Sequence, residues 1–177
     1  MAYIGLGAAL LAVCAWISIP TTVPFTLQTF GIFCLLSLLG GKRGTLAIVV
    51  YVLLGLVGVP VFSGFRGGAG ALFGTTGGYI LGFILSGLIY LAMERFFKNC
   101  ENKKRAALLE LCAMVAGLLV CYAFGTMWFM TVYAKKTGAI GLGTALSWCV
   151  LPFILPDAIK LGLGFLLGGR LRKILKL

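Results

Sequence analysis

Apolar residues run along this chain in long stretches, separated by short clusters of proline, glycine and charge. Six stretches stand out, at residues 2–19, 25–39, 45–59, 77–97, 106–133 and 147–169. Their lengths approach the roughly 20 residues a helix needs to cross a hydrocarbon core about 30 Å thick. Inside hydrocarbon every backbone amide must find its partner within the segment, so each stretch is expected to be helical. The expected architecture is an all-α integral membrane protein of six transmembrane helices, forming one domain over residues 1–177.

The breaks between stretches carry turn chemistry. Pro20 and Pro24 bracket a first loop, because proline lacks an amide proton and restricts the residue before it. Gly40-Gly41-Lys42-Arg43-Gly44 predicts a tight polar turn between the second and third stretches, and Val59-Pro60 opens a longer glycine-rich connection. The fifth stretch exceeds one straight span, and the "AKKTGAIGLG" that follows predicts loop or interfacial structure.

Composition agrees with lipid as the main solvent. Of 177 residues 61% are hydrophobic, only 11% are charged and none is histidine. The net charge of +11 has a topological explanation, since Lys and Arg are retained on the cytoplasmic side. With both termini cytoplasmic, the inner side holds Lys42, Arg43, Arg95, Lys98, Lys103, Lys104, Arg105, Arg170, Arg172, Lys173 and Lys176, against Arg66, Lys135 and Lys136 outside. Topology and anionic lipid account for these charges without a nucleic-acid partner.

Several chemistries lack their residues. "LAVC" at residues 11–14 has an over-large Val13 for a lipoprotein cleavage site, and no basic run precedes it. The six cysteines include no CxxC pair and sit mostly inside apolar stretches, so neither a disulfide nor a metal site is indicated. The glycines around Lys42 lack the Gly-Lys-Ser/Thr ending of a phosphate-binding loop, so ATP hydrolysis by this chain is not expected. Without histidine or paired carboxylates, enzymatic acid-base chemistry has little to work with and no cofactor is implied.

A binding site is what the remaining polar residues describe. Asp157 is the only acid in the last 67 residues, and Lys160 lies three positions on, on the same helix face. A plain intrahelical ion pair would satisfy that spacing, but charges within a membrane are costly and more often mark a ligand or ion path. Gly164 and Gly168 continue the face inward and leave room for close packing. Residues 61–79, "VFSGFRGGAGALFGTTGGY", contain seven glycines in nineteen, so free amides of Gly67 and Gly68 beside Arg66 suit a lid or cradle. Phe62, Phe65, Leu72 and Phe73 within it call for burial, which a flexible linker would not offer. The first loop, "PTTVPFTLQT", brings Thr26 and Gln28 to the same outer side.

The segments "ISIPTTVPFTLQTFG", "GGKRGTLAIVVYVLLGLVGVPVFSGFRGGAGALFGTTGGYILGF" and "LPFILPDAIK" resemble the BioY family, the biotin-specific S components of energy-coupling factor (ECF) transporters. The resemblance spans nearly the whole chain, and its most specific parts are Gly77-Gly78-Tyr79 and the Asp-x-x-Lys of Asp157 and Lys160. Thr75 and Pro156 depart from it, standing where proline and glycine respectively are common in the family. The resemblance implies an S-component fold in a prokaryotic plasma membrane, biotin as ligand, and a coupling subunit with two ATPase subunits as partners. On that reading Asp157 accepts from the ureido N–H groups, Lys160 donates to the ureido carbonyl or steadies the aspartate, and Arg66, Gly67 and Gly68 meet the carboxylate, with Tyr79 and Gln28 completing the site. It also makes the small residues Ala8 and Ala12 of the first helix the expected docking face for the coupling subunit, packing within the chain's own bundle being the alternative. Two other readings stay open, an S component for another vitamin such as thiamine and a membrane assembly protein without ligand. A cationic vitamin would call for more acidic or aromatic surface than one acid paired with lysine.

Overall fold

The structure, a computed structural model, describes residues 1–21 and 23–175, and the backbone alone at 136 and 137. Thr22 of the first loop, the Lys136 side chain and Lys176 therefore lie outside the described residues. The first helix, α1 (Ala2–Trp16), ends earlier than expected, and its chain continues into a two-residue strand β1 (Ser18–Ile19) paired antiparallel with β2 (Phe25–Thr26). The architecture is thus mostly helical rather than wholly so. The ladder arises because the loop between Pro20 and Pro24 cannot continue a helix, and extended backbone on either side supplies its own hydrogen bonds.

The second and third expected helices are joined as one element, α2 (Gln28–Val57), interrupted at Gly40, whose φ of 77° and ψ of 170° leave the helical region. A left-handed φ there is open to glycine and strained for other residues. The break reverses the chain: the Gln28 amide donates to the Tyr51 hydroxyl at 2.7 Å across 23 residues, a separation of about 35 Å in a continuous helix. A Cβ on Gly44 would lie 3.2 Å from the Leu36 Cα, so the two arms touch near the turn. Glu94 seals that turn, accepting the Gly41 N–H at 2.9 Å and pairing with Lys98 at 2.9 Å. The predicted five-residue turn is therefore made by Gly40, and Lys42 and Arg43 are already helical.

The remaining elements are α3 (Ala69–Leu72), α4 (Gly77–Lys98), α5 (Lys103–Thr137), α6 (Leu142–Cys149) and α7 (Leu151–Leu175). Asn102 caps α5, its side-chain oxygen accepting the N–H groups of Lys104 and Arg105 at 3.0 and 3.3 Å. Glycines set the helix contacts. Gly82 faces Cys121 and Gly117 faces Ser86 between α4 and α5, while Gly164 and Gly168 bring α7 against the backbone of Cys34 in the first arm of α2. Among the described residues four helices are long and apolar enough to cross a membrane, α2, α4, α5 and α7, and α1 is a shorter apolar helix. Leu53, Leu119 and Leu163 point outward more than half exposed, the surface of a protein solvated by lipid.

The two alanines expected as a docking face on α1 turn inward in this chain. Ala8 and Ala12 are 2% and 5% exposed and belong to the core with Leu11, Ala47 and Ile48, while Gly5, Leu6, Ala9 and Val13 take the outward positions. A small residue is needed here so that α1 can approach the α2 hairpin. Ala8→Trp combined with Ala12→Trp is expected to prevent folding, because overpacking costs about 1–3 kcal/mol or more at each site. Size-exclusion chromatography in detergent should show aggregate; a monodisperse, folded double variant would return these alanines to the surface.

Candidate ligand-binding site

One end of the bundle holds a cavity of about 80 Å³, room for on the order of half a dozen waters. Among the residues that line it are Val23, Pro24 and Thr26 of the first loop, Gln28 and Thr29 at the start of α2, Phe62, Ser63 and Arg66 of the third loop (the glycine-rich connection between α2 and α4), and Asp157 and Lys160 of α7. Tyr79 and Phe83 of α4 with Leu118 and Tyr122 of α5 make the far wall.

Asp157 is its electrostatic centre. The carboxylate is buried at 4% side-chain exposure and accepts from three donors: Lys160 Nζ at 2.9 Å and Thr29 Oγ1 at 2.9 Å on Oδ1, and the Tyr122 hydroxyl at 2.6 Å on Oδ2. A carboxylate offers about four lone-pair positions, so one remains for a ligand donor. Lys160 is 12% exposed and sits 5.1 Å from the centroid of the Phe25 ring, which stacks on Phe153 at 4.4 Å. The aromatic face lowers the cost of holding an ammonium away from water.

The third loop is a wall pinned at several points. Phe62 and Arg66 exchange backbone hydrogen bonds around Gly64 and Phe65, both at positive φ. Trp16 donates to the Pro60 carbonyl at 2.9 Å and stacks on Phe65 at 5.1 Å, and Trp128 donates to the Gly74 carbonyl at 3.0 Å. Phe62 and Leu72 are buried as expected, at 2% and 3% exposure. Phe65 and Phe73 are not, at 65% and 59%; each lies on a tryptophan at the outer surface instead.

The expected site residues divide accordingly. Asp157, Lys160, Arg66, Tyr79 and Gln28 all reach the cavity, but two are engaged elsewhere. The Gln28 amide donates to Tyr51 and its oxygen accepts from Thr26 at 3.1 Å, while the Tyr79 hydroxyl is bonded to Thr126 at 3.0 Å. Gly68 is not a free donor, because its N–H goes to the Gly55 carbonyl at 2.6 Å. Neither Gly67 nor Gly68 is among the residues lining the cavity. Arg66 donates Nε–H to the Ser63 carbonyl at 3.1 Å, leaving its terminal guanidinium N–H groups without a partner among the described residues. Thr29 and Tyr122 were not anticipated. A hydroxyl next to Gln28 and a tyrosine within an apolar span were the only marks they left in the sequence.

Comparison with known proteins converges on one group. A sequence model of the BioY family matches residues 1–177. The chain is 42% identical over 171 residues to the biotin transporter BioY of Thermotoga maritima, covering 96% of this chain and 94% of that one. It is 36% identical over 170 residues to a probable biotin transporter BioY of Pyrococcus horikoshii, covering 96% and 93% respectively. The fold matches the crystal structure of an S-component for biotin from an ECF-type ABC transporter with a TM-score of 0.77, at 27% identity, over 99% of this chain and 90% of that one.

Proposed function

This chain belongs to the BioY family, and from that premise we infer that it is the substrate-binding membrane subunit for biotin uptake, a multi-pass protein of the cell membrane. The observation that carries the reading to the chemistry is the buried Asp157–Lys160 pair with one acceptor position left open. Biotin presents two ureido N–H donors, a ureido carbonyl, an apolar bicycle and chain, and a carboxylate. Asp157 accepts one ureido N–H, and Lys160 uses its remaining donors on the ureido carbonyl. Because the two charges cancel, the uncharged end of biotin meets an electrically balanced pocket. The far wall of Phe83, Leu118 and Ile80 takes the apolar part. Arg66, with free guanidinium N–H groups at the loop side, suits the carboxylate.

The reading extends to topology and partners. The two arms of α2 together with α1, α4, α5 and α7 make six membrane crossings, an even number that returns both termini to one side. The excess of Lys and Arg at the end opposite the cavity supports that side as cytoplasmic, with the cavity facing outward. The likeness to an S-component of an ECF-type ABC transporter supports a coupling subunit with paired ATPases as the source of energy for release, in keeping with a sequence that lacks a phosphate-binding loop. A receptor for a cationic vitamin is disfavoured by the lysine that neutralises the cavity's acid.

Native mass spectrometry of the protein purified in detergent, with nothing added, is expected to show one bound molecule of biotin. A different bound small molecule would reassign the substrate, and a protein that stays empty after incubation with biotin would remove the binding role.

A further inference from the structure

The end of the bundle opposite the Asp157 cavity carries a feature that biotin capture does not use. Two cavities of about 270 and 710 Å³ open there, and Lys98 and Arg172 line both, so the two adjoin and are treated as one bay. Lys42 and Arg43 complete its near rim, and Lys103 and Lys173 its far rim. The two acids in the bay are already engaged: Glu94 by Lys98 and the Gly41 N–H, and Glu110 by the Tyr90 hydroxyl at 2.7 Å. Six cations against two carboxylates leave the bay strongly positive. Arg172 is half-buried where the two cavities meet, and has neither ion pair nor hydrogen bond among the described residues.

Retention of positive charge on one side of a membrane explains cations at this end but not their arrangement around a concavity. Arg95, Lys104, Arg105 and Arg170 obey the same bias and line neither cavity. The apolar part of the bay's lining is small, Ala106 and Ala107 of α5 and Gly169 of α7 beside Phe97. The neighbouring positions Phe96, Leu108 and Ile174 turn outward at 63%, 61% and 73% exposure, so apolar surface continues from the bay onto the outer face of the bundle.

We propose that this bay binds the headgroup of an anionic phospholipid, its phosphate on Arg172 and its acyl chains along the outward apolar residues at the bay's edge. A guanidinium matches two phosphate oxygens at once, and lysines add point charge around it. Basic pockets between helices on the cytoplasmic side are suited to such headgroups. Free phosphate would satisfy Arg172 equally but leave the apolar lining and edge uncovered. The assignment rests on the membrane orientation given above and is independent of which ligand fills the outer cavity.

The test uses the full chain in mild detergent, stripped of lipid and offered phosphatidylglycerol or phosphatidylcholine at equal ratio, with retained lipid counted by native mass spectrometry. Wild-type protein is expected to retain about tenfold more phosphatidylglycerol, and Arg172→Gln with Lys173→Gln should abolish the preference. Arg105→Gln with Arg170→Gln, which alters exposed cations outside the bay, should preserve it. If the first pair does not fold, Lys42→Gln with Lys103→Gln at the exposed rims replaces it. Equal retention of the two lipids, equal loss in bay and control variants, or full displacement of phosphatidylglycerol by millimolar inorganic phosphate would each overturn the proposal. Biotin retention in the same spectra reports separately on the outer cavity.

Discussion

Asp157→Asn is expected to weaken biotin binding by about 1.5–3 kcal/mol, roughly 10- to 150-fold, while the protein still folds. The range is that of hydrogen bonds to a charged group, and asparagine keeps the shape of the side chain while removing its charge. The replacement acts twice. It turns one oxygen into a donor, so the carboxylate that accepts from Lys160, Thr29 and Tyr122 can no longer serve all three and a ligand N–H as well. It also leaves the Lys160 ammonium uncompensated at 12% exposure, with the Phe25 ring as its remaining neighbour. The variant should fold because Thr29 and Tyr122 can still bond to an amide and the bundle contacts made by Gly164 and Gly168 are untouched. Titration with biotin, alongside thermal unfolding in detergent, checks both halves. Unchanged affinity would remove Asp157 from the ligand's reach.

Gly77→Ala should be as damaging through geometry alone. Gly77 begins α4 after the four residues that separate it from the short α3, and a Cβ there would fall 1.6 Å from the Leu72 carbonyl oxygen. Both atoms are backbone or fixed to it, so no rotamer relieves the clash and the α3–α4 junction must shift. Ala71, Thr76 and Tyr79 flank that junction and line the cavity. A loss of about 3 kcal/mol in biotin affinity, on the order of a hundredfold, is expected, since the displaced wall must be rebuilt each time ligand binds. Gly70→Ala is the matched comparison, because nothing lies within 4 Å of its Cβ position, and it should bind as wild type does. Equal affinities in the two variants would mean that the junction moves freely and does not shape the site.

The contrast between those glycines shows where a sequence stops being informative. Seven glycines in residues 61–79 read alike as letters, and only their place beside Arg66 singles out Gly67 and Gly68 for close approach to a ligand. In the structure Gly77 packs on its own backbone and Gly68 spends its amide on Gly55, while Gly70 meets open space. Gly40 is the exception, since a short charged cluster between two apolar runs already marked a reversal, and a positive φ at Gly40 supplies it. Asp157 and Lys160 were also legible, because two ionisable groups three residues apart in a helix share a face whatever surrounds them.

What the sequence by itself determined is the solvent and much of the local geometry: long apolar runs must be helical in lipid, and the proline-bracketed first loop and the glycines around Lys42 mark breaks between them, although Pro156, Gly164 and Gly168 sit inside α7. Thr29 and Tyr122, 128 and 35 residues away from Asp157, reach its carboxylate only through the packing of α2 and α5 around α7. Tertiary structure likewise decided which side of α1 is inside. The small residues Ala8 and Ala12 are buried and Gly5 and Ala9 are not, although all four look equally fit for close packing. The reason is physical. In a water-soluble protein, polarity separates the inward face of a helix from the outward one. In a bilayer both the lipid and the protein interior are apolar, so the periodicity that would reveal the core is missing from the chain, and only the helices' mutual fit restores it.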